Sequence, residues 1–445
     1  MRTFDVVVVG GGPGGEVAAG RLGKRGLSVA LVEDRLVGGE CSYWACMPSK
    51  ALLRPYEALA EARRVPGAAQ AAGGRLDVQA VLDRRDEIVH NLDDSSQLPW
   101  LEDRGVALFR GRGRLSGERR VTVGDEELEA AKAVILAGGT KPAMPPIEGL
   151  DAIDGAWTNR EATTAKAVPE RLVIMGGGVV GVEMAQAFQT LGSQVTLVEG
   201  ERRLLPREEE FACEQVTAAL REYGVDIRTG QKAERVEQRD GTTTVHTADG
   251  GSAGGDTLLV ALGRTPETEE AGLDEAPEVD AHCRVKGSDW LYAIGDLNGR
   301  ALFTHMAKYQ ARLAADHICG EATAVEHGAD GPLAPRVVFT DPQVAAVGHT
   351  TDSAPGARVV QTDTSGNAGG SYYGRNAPGT AQLLIDPDRR VIVGATITGA
   401  EVQDMLHAAT IAIVGEVPLE RLRHATPCFP TRSEIWLSLL EQAGV

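Results

Sequence analysis

The sequence predicts an α/β fold built from two strand–turn–helix–strand units, followed by a C-terminal α+β segment. The first unit begins with the apolar run FDVVVV at residues 4–9, and the second begins with RLVIM at residues 171–175. Each run leads directly into a glycine-rich turn, then into a helix-like stretch and another apolar run. Short apolar runs of this kind are typical of buried parallel strands, so each unit is expected to form a parallel sheet.

The first glycine-rich turn has the spacing G-x-G-x-x-G, formed by Gly10, Gly12 and Gly15 within GGGPGG. Such glycines permit a tight turn, close approach of backbone amides to a pyrophosphate, and close packing of helix on strand. Gly14 lies in the same turn, and Glu33 ends the next apolar run, where an acid can hold ribose hydroxyls. A strand, this turn, a helix and an acid about 20 residues later form a strong dinucleotide-binding signature.

The second turn repeats the pattern with Gly176, Gly178 and Gly181, and the strand after it ends at Glu199. Two such units imply two dinucleotides, and we expect a flavin, FAD, to pair with a nicotinamide, because a flavin accepts a hydride and passes electrons on. The fold class is therefore α/β with two Rossmann-like dinucleotide-binding domains. An acid at Glu199 bonds a ribose 2′-hydroxyl and repels a 2′-phosphate, which favours NADH. The arginines at 202–203 leave NADPH open.

Composition excludes several classes of partner. The chain has 445 residues and a formal net charge of −18, so no nucleic-acid partner is expected. No apolar run reaches the ~20 residues that a membrane span needs, so no membrane partner is expected either. The opening MRTFDVVVVGGG lacks a secretory signal pattern, and six cysteines are too few for a disulfide scaffold. The cytoplasm is therefore the expected location.

Cys41 and Cys46 form a C-x4-C pair within CSYWACMPSK. A structural zinc site usually adds two ligands from another short cluster of Cys or His, and the sequence shows no such cluster. A short structural disulfide would constrain little chain. On a regular helix, Cα atoms five positions apart are separated by roughly 8–9 Å, beyond the ~7 Å limit of a disulfide. The pattern favours a redox pair in a distorted segment over these two alternatives.

The order of these features resembles the flavoprotein disulfide reductases, or pyridine nucleotide–disulfide oxidoreductases. This family includes dihydrolipoamide dehydrogenase, mycothione reductase and mercuric reductase. The resemblance spans essentially the whole chain. The motifs that carry it, besides the two glycine turns, are GGECSYWACMPSK, AGGT at 137–140, ALGRTP at 261–266, LYAIGD at 291–296 and VVFTDPQVAAVG at 337–348.

The family layout implies four segments in this chain. They are an FAD-binding domain at residues 1–148 that carries the cysteine pair, an NAD(P)-binding domain at 149–264, a central segment at 265–333 that completes the FAD site, and an α+β dimerisation domain at 334–445. In the last segment, GTAQLLIDPDRRVIVGATITG reads as two strands joined by a polar turn. The resemblance further implies a homodimer whose active site is shared between subunits.

The resemblance also implies roles for individual residues. Cys46 would be the thiolate that faces the flavin, and Cys41 the thiol that faces the substrate. Lys50 would lie near the flavin N5 and pair with Glu183. Further cofactor contacts are implied at Gly39, Gly138, Gly263, Asp296 and Met306, and no metal is implied.

The family's C-terminal motif H-P-T-x-S-E is altered here, because Phe429 occupies the histidine position while Glu434 is retained. In the family this histidine comes from the partner subunit and moves protons on the substrate-facing thiol. General acid–base catalysis contributes about 10²–10⁴-fold, so thiol–disulfide exchange should be slow unless something compensates. His424 is a candidate replacement base and Cys428 a candidate third thiol. The T-x-x-E pattern at 431–434 also predicts a helix cap.

The sequence thus predicts an FAD-dependent enzyme that passes electrons from NADH, through the flavin and Cys41–Cys46, to a small disulfide or dithiol substrate. A quinone or metal-ion reductase, which does not need the missing histidine, is the alternative hypothesis. A protein that retains FAD without catalysis is a third. Tyr43 and Trp44, between the cysteines, favour either a narrow apolar mouth or plain wall packing, and Tyr43 is a second candidate base.

Overall fold

The computed structural model describes residues 1–374, 377 and 379–445. The chain divides into two compact units. Unit 1 comprises Met1–Pro48, Asp86–Ala143 and Arg264–Ala334, and unit 2 comprises Ser49–Arg85, Met144–Gly263 and Pro335–Val445.

The strands of the described residues are β1 (Arg2–Val9), β2 (Val29–Glu33), β3 (Val106–Arg110), β4 (Gly113–Gly117), β5 (Arg120–Val123), β6 (Glu126–Leu136), β7 (Thr140–Pro142), β8 (Arg171–Met175), β9 (Gln194–Val198), β10 (Asp226–Arg228), β11 (Ala233–Arg239), β12 (Thr242–Thr247), β13 (Ser252–Gly255), β14 (Thr257–Val260), β15 (Arg264–Pro266), β16 (Leu291–Ala293), β17 (Arg336–Val338), β18 (Gln343–Gly348), β19 (Arg358–Asp363), β20 (Thr380–Asp386) and β21 (Val391–Gly399).

The α-helices of the described residues are α1 (Pro13–Lys24), α2 (Gly39–Tyr43), α3 (Cys46–Arg64), α4 (Ala68–Ala71), α5 (Val78–Ile88), α6 (Leu98–Glu102), α7 (Asn159–Thr164), α8 (Val179–Thr190), α9 (Glu210–Glu222), α10 (Thr268–Ala271), α11 (Thr304–Ile318), α12 (Val402–Val414), α13 (Leu419–Leu422) and α14 (Ile435–Ala443). Short 3₁₀ turns are found at His90–Leu92, Ser95–Gln97, Leu150–Ala152, Gly295–Asn298, Gly370–Tyr373 and Arg432–Glu434.

Unit 1 is built on a sheet with the strand order β3-β2-β1-β6-β5-β4, and β16 pairs with β6. β1, β2, β3, β6 and β16 run parallel to one another, whereas β5 pairs antiparallel with both β6 and β4. Side chains on both faces of β1 are fully buried, among them Val6, Val7 and Val8, which explains its unbroken apolar run. The parallel part has the order of a Rossmann-like doubly wound sheet.

Helices α1 and α11 pack side by side in unit 1. Ala18 and Leu22 of α1 belong to the same buried cluster as Ala311 and Ala314 of α11. Small residues on these facing surfaces let the two backbones come close together. The start of α1, which follows the first glycine turn, is therefore held next to the start of α11.

Unit 2 contains a second parallel sheet with the order β10-β9-β8-β14. Helix α8 connects β8 to β9 as α1 connects β1 to β2, so the two sheets repeat one arrangement. Ile174, Leu197 and Leu259 fill the core on one face of this sheet. An antiparallel sheet of β11, β12 and β13 is inserted between β10 and β14.

The C-terminal part of unit 2 is an antiparallel sheet with the order β17-β18-β21-β20-β19. Helices α12 and α14 cover it, because Leu406 and Leu439 lie in one buried cluster with Leu383 and Ile397. The two strands expected from GTAQLLIDPDRRVIVGATITG are β20 and β21. The predicted fold class, two Rossmann-like domains and a C-terminal α+β domain, is confirmed. None of the helices in the described part of the chain has the length and apolarity of a bilayer span.

We expect Gly15→Ala to lower the free energy of unfolding of unit 1 by about 1–3 kcal/mol, the usual cost of overpacking. A Cβ at Gly15 would lie 1.8 Å from the Gly10 carbonyl oxygen, so β1 and α1 would have to separate. Thermal unfolding followed by circular dichroism measures the effect. Gly73→Ala is the matched control, because nothing lies within 4 Å of its added Cβ. Equal stability of the two variants would contradict the packing described.

Candidate active site

The glycine turn after β1 is packed so closely at Gly10 and Gly15 that a side chain would clash at either position. An added Cβ at Gly10, where φ is +102°, would lie 2.4 Å from the Ala137 carbonyl oxygen. Gly39, with φ +59°, begins α2 against this turn, and its Cβ would lie 2.7 Å from Gly12 Cα. Gly12 is the N-cap of α1, so the turn leaves the amides at the helix N-terminus bare of side chains. Such a cradle fits the pyrophosphate of a dinucleotide.

Glu33 is fixed beside the same turn at the end of β2. Its Oε2 accepts the Gly11 N–H at 2.6 Å, and its Oε1 accepts the Arg35 N–H at 2.8 Å. Burial raises the pKa of Glu33, and the two backbone donors oppose that effect. Glu33 thus ends β2 beside the glycine turn, and its contact with a ribose stays a prediction.

A second polar group of unit 1 is centred on Asp296. Thr140 donates its hydroxyl to Asp296 Oδ2 at 3.1 Å and accepts from Arg264 Nε at 2.6 Å. Burial raises the pKa of Asp296. Gly138 comes just before Thr140, after the end of β6. Asp296 and Gly138 are predicted from the sequence, whereas Thr140 is not, because its only signal is its place in the AGGT turn.

The start of α11 lies after the Asp296 segment. The Met306 N–H donates to the Phe303 carbonyl at 3.0 Å, so this predicted cofactor amide is bonded within the first helical turn. The Met306 side chain is almost fully buried. Thr304 Oγ1 lies 3.4 Å from Cys46 Sγ, a contact between residues far apart in sequence that no local pattern predicts.

Cys41 and Cys46 lie on two different helices. α2 ends at Tyr43, Trp44 has φ −134° and ψ 0°, and α3 begins at Cys46. The segment between the cysteines is therefore distorted, as the distance limit of a disulfide requires. A hydrogen bond with Cys46 raises the pKa of the Cys41 thiol, and burial raises it further.

The two aromatic side chains between the cysteines differ in exposure, because Tyr43 is buried and Trp44 is half-buried. Tyr43 is only 1% exposed, and its ring centroid lies 5.7 Å from that of Trp44. Burial raises the pKa of Tyr43 to about 12, so its hydroxyl is not a base near neutral pH. The expectations that Tyr43 lines a narrow mouth or serves as a base are wrong, because the ring is part of the protein interior.

Lys50 and Glu183, which the resemblance pairs, are in contact within unit 2. Lys50 Nζ lies 2.7 Å from Glu183 Oε2 and 4.6 Å from the centre of the Phe339 ring. The other Glu183 oxygen accepts the Phe339 N–H at 2.9 Å, and Glu183 is 3% exposed. Lys50 lies on α3, four positions after Cys46. A lysine charge is thus fixed on the helix that begins with a predicted redox cysteine.

The second glycine turn repeats the first almost contact for contact. Gly176 has φ +108°, and its Cβ would lie 2.4 Å from the Ala261 carbonyl oxygen. A Cβ at Gly181 would lie 1.8 Å from the Gly176 oxygen, and Gly178 is the N-cap of α8. Unit 2 therefore holds a second cradle that fits a dinucleotide pyrophosphate.

Glu199 occupies the same place beside the second turn as Glu33 does beside the first. Its Oε2 accepts the Gly177 N–H, and its Oε1 accepts the Glu201 N–H at 2.7 Å. The Arg202 side chain is 89% exposed, whereas that of Arg203 is 26% exposed, and both approach Glu210 at 3.8–3.9 Å. Gly263, with φ +113°, lies between β14 and β15.

The C-terminal loop differs from its predicted local structure. Thr431 donates its hydroxyl to the Cys428 carbonyl at 2.7 Å instead of capping a helix. Glu434 Oε2 accepts the Gly369 N–H at 3.3 Å. The predicted T-x-x-E cap is therefore wrong, since Thr431 bonds back to Cys428 within its own loop and Glu434 bonds to Gly369 of another loop. Phe429 is 77% exposed, and His424 and Cys428 are also exposed. In the part of the chain that the structure describes, no three His, Cys, Asp or Glu side chains are arranged for a metal ion.

Two family models together match most of this chain. The chain matches the model of the pyridine nucleotide-disulphide oxidoreductases over residues 4–311 and the model of their dimerisation domain over residues 334–439. The dihydrolipoyl dehydrogenase of Chlamydia muridarum is 30% identical over 451 residues, which cover 98% of this chain and 96% of that relative. The mercuric reductase of Staphylococcus aureus is 28% identical over 449 residues, covering 97% of this chain and 81% of the relative.

Solved structures agree with these matches. The Cu(II) complex of the HOCl-induced flavoprotein disulfide reductase RclA from Escherichia coli is similar, with a TM-score of 0.86 and 26% identity, covering 99% of this chain and 100% of the other. The family matches include both glycine cradles and the C-terminal sheet. The chain therefore belongs to the pyridine nucleotide-disulphide oxidoreductases, enzymes that use FAD and NAD(P)H.

Proposed function

We propose that this enzyme passes electrons from NADH, through FAD, to a disulfide of Cys41 and Cys46, and from the resulting dithiol to a small disulfide substrate. The observation that carries the proposal is the hydrogen-bonded cysteine pair at the junction of α2 and α3. When bound, FAD would accept a hydride from NADH and pass its two electrons to the cysteine disulfide. Cys46 is the thiol on the flavin side, and Cys41 is the one that meets the substrate.

The two cradles divide the cofactors between them. The turn at Gly10–Gly15, with Glu33, holds FAD, and Gly39, Gly138, Asp296 and Met306 complete that site. The turn at Gly176–Gly181 holds the nicotinamide dinucleotide, with Gly263 at its edge. Glu199 selects NADH, because a carboxylate at this strand end would repel a 2′-phosphate. Its hydrogen bonds to the Gly177 and Glu201 N–H groups, which hold it beside the second turn, support this role. The domain boundaries at 1–148, 149–264, 265–333 and 334–445 are part of this proposal.

The positive charge of Lys50 stabilises the negative charge that the site carries when it is reduced. Its ion pair with the buried Glu183 and its contact with the Phe339 ring restrict it to one position. A fixed cation stabilises both a thiolate and an anionic reduced flavin without reorganising at the moment of reaction.

The enzyme acts as a homodimer. The dimerisation domain exposes several apolar side chains, which a partner subunit would cover: Ile411, Val414, Phe429 and Leu437. Phe429 is the most exposed of these, at 77%. By the family's arrangement, it would approach the cysteine pair of the partner subunit.

A second candidate acceptor is a soft metal ion such as Cu(II). The observation in its favour is Phe429, which cannot protonate a leaving thiol as the family's histidine does. The mercuric reductase and the Cu(II) complex of RclA among the similar proteins add support. Electron transfer to a metal ion has no leaving thiol, so the missing histidine would matter less. A quinone would share this property.

We expect Cys41→Ser to abolish NADH-dependent reduction of small disulfides, because serine cannot form the mixed disulfide. Steady-state assays would follow NADH oxidation with an alkyl disulfide, Cu(II) and a quinone as separate acceptors. Flavin bleaching by NADH serves as an internal check on cofactor binding. Cys319→Ser, a substitution of a half-buried cysteine in the same unit, is the matched control.

The acceptors that Cys41→Ser still reduces decide between the hypotheses. Loss of both disulfide and Cu(II) reduction supports the relay, and the faster wild-type acceptor then identifies the substrate class. Undiminished disulfide reduction by Cys41→Ser would refute the relay itself. Failure of NADH to bleach the flavin of the wild-type protein would favour a non-catalytic, FAD-retaining protein.

We expect Glu183→Gln to destabilise the protein and to slow flavin reduction by NADH. Removal of one partner from a buried pair costs about 3–5 kcal/mol when the remaining charge is buried, and less here because Lys50 is 32% exposed. Chemical unfolding and stopped-flow bleaching measure the two effects. Glu278→Gln is the control, since Glu278 and Lys286 form an ion pair of the same 2.7 Å length on the surface. If both variants behave alike, the assigned role of Glu183 is wrong.

A further inference from the structure

The turn at Gly295–Asn298, which carries the predicted FAD contact Asp296, is bound to α11 by a buried side chain of unit 1. Gln310 lies in the second turn of this helix, and its Oε1 accepts the Gly295 N–H at 2.7 Å. The same oxygen accepts from the Asn298 side-chain amide at 3.0 Å. One side-chain oxygen therefore bonds to both ends of the turn.

The backbone of this turn also packs directly on α11. Gly295 has φ +70°, in the left-handed region, and a Cβ there would lie 3.2 Å from the Ala307 Cβ. Ala307 comes about one helical turn before Gln310, so the packing contact and the hydrogen bond come from one face of the helix. Gly295 is thus held against α11 in two ways.

The nitrogen of the Gln310 amide is bound by a fully buried carboxylate. Gln310 Nε2 donates to Asp330 Oδ2 at 2.8 Å, and both side chains are 0% exposed. Because the amide nitrogen only donates and the carboxylate only accepts, this bond determines which way the amide points. The Gln310 oxygen is thereby directed at Gly295.

Arg300 closes these contacts into a ring. Its Nη2 lies 2.8 Å from Asp330 Oδ1 and compensates the buried charge as an ion pair, although the two atoms are not aligned as a hydrogen bond. The Arg300 backbone N–H donates to Asn298 Oδ1 at 3.1 Å, and Asn298 donates to Gln310. We call the ring of Gln310, Asp330, Arg300 and Asn298 the turn clamp. None of its members is itself a predicted cofactor contact.

We propose that Gln310, oriented by Asp330, is a positioning residue that keeps the Gly295–Asn298 turn in its FAD-binding conformation before FAD binds. The inference rests on the proposed FAD site and adds the residue that preforms it. The Gly295 N–H is buried and bonds to Gln310, and an unpaired buried N–H is costly. The turn therefore cannot move away from α11 without losing this bond.

A preformed turn has a direct effect on cofactor affinity. A flexible segment must be ordered when its ligand binds, whereas a segment that the protein already orders carries no such cost at the binding step. The turn clamp fixes the backbone around Asp296, and Thr140 bonds to the Asp296 side chain. Met306, another predicted FAD contact, lies one turn before Gln310 on α11. The clamp thus holds two predicted FAD contacts in one arrangement.

We expect Gln310→Leu to release FAD about tenfold faster than the wild type, because the turn loses its buried hydrogen bond to α11. The full-length, FAD-loaded enzyme is diluted, and the rise in flavin fluorescence gives the rate constant of release. Gln79→Leu is the matched control, because Gln79 Nε2 donates to Asp83 at the same 2.8 Å distance on an exposed helix face. Unchanged release by Gln310→Leu would overturn the proposal.

A charge exchange separates positioning from general destabilisation. When Gln310→Glu is combined with Asp330→Asn, the new carboxylate accepts from Gly295, Asn298 and the new amide, and the total charge beside Arg300 is unchanged. We expect this double variant to release FAD at close to the wild-type rate. A purely structural role would lower the unfolding temperature of Gln310→Leu without changing its FAD release. Release by the double variant as fast as by Gln310→Leu would contradict the role of the hydrogen bonds.

A measurement on the wild-type protein needs no substitution. Hydrogen exchange of peptides that span the Gly295–Asn298 turn is compared by mass spectrometry in the full-length protein with and without FAD. Peptides of β1 report whether unit 1 is folded in both states. We expect the Gly295 amide to be protected in both, because Gln310 rather than the cofactor accepts its N–H. Protection that is present only when FAD is bound would overturn the proposal.

Asp296→Ala distinguishes failure of this inference from failure of the proposed FAD site. Wild-type FAD release by Asp296→Ala would refute the assigned FAD contact, and with it the site on which the inference rests. Fast release by Asp296→Ala together with wild-type release by Gln310→Leu would refute the inference alone.

Discussion

The helix is interrupted between Tyr43 and Cys46, and the geometry of the active site depends on this interruption. A continuous helix would hold the two sulfurs too far apart for a disulfide. The structure ends α2 at Tyr43 and starts α3 at Cys46. The buried Tyr43 ring anchors the first helix in the interior. Lys50 follows Cys46 by one helical turn in the sequence of α3.

The two glycine turns that we propose for the two cofactors share one backbone arrangement. In each turn the first glycine meets a carbonyl of the neighbouring strand's end, and the third meets the carbonyl of the first. In each, a glutamate at the end of the second strand accepts an N–H from the glycine turn, Gly11 for Glu33 and Gly177 for Glu199. These glutamates therefore stabilise the two turns, in addition to the ribose contacts that we propose for them. Their substitution would be expected to affect folding and cofactor selection together.

Much of the fold follows from local sequence patterns. The run at 171–175 coincides with β8, and FDVVVV lies within β1, which starts two residues earlier. Glycine spacing located both cradles because the packing demands glycine at those positions. Predictions of single side-chain contacts are less reliable. Thr431 and Glu434 have the spacing of a helix cap, but Thr431 bonds to Cys428 and Glu434 to Gly369. Tyr43 likewise gave no local signal of burial.

The contact between Cys46 and Thr304 could not be predicted, because it joins segments far apart in the chain. Cys46 Sγ lies 3.4 Å from Thr304 Oγ1, 258 positions later, and only the fold brings the two residues together. The central claim is that electrons reach the acceptor through the cysteine pair. Its most direct test is an anaerobic NADH titration of the FAD-loaded enzyme, followed by its visible absorption spectrum. We predict a long-wavelength thiolate–flavin charge-transfer band that is absent from Cys46→Ser. Complete bleaching of the flavin with no such band in the wild-type enzyme would contradict the relay.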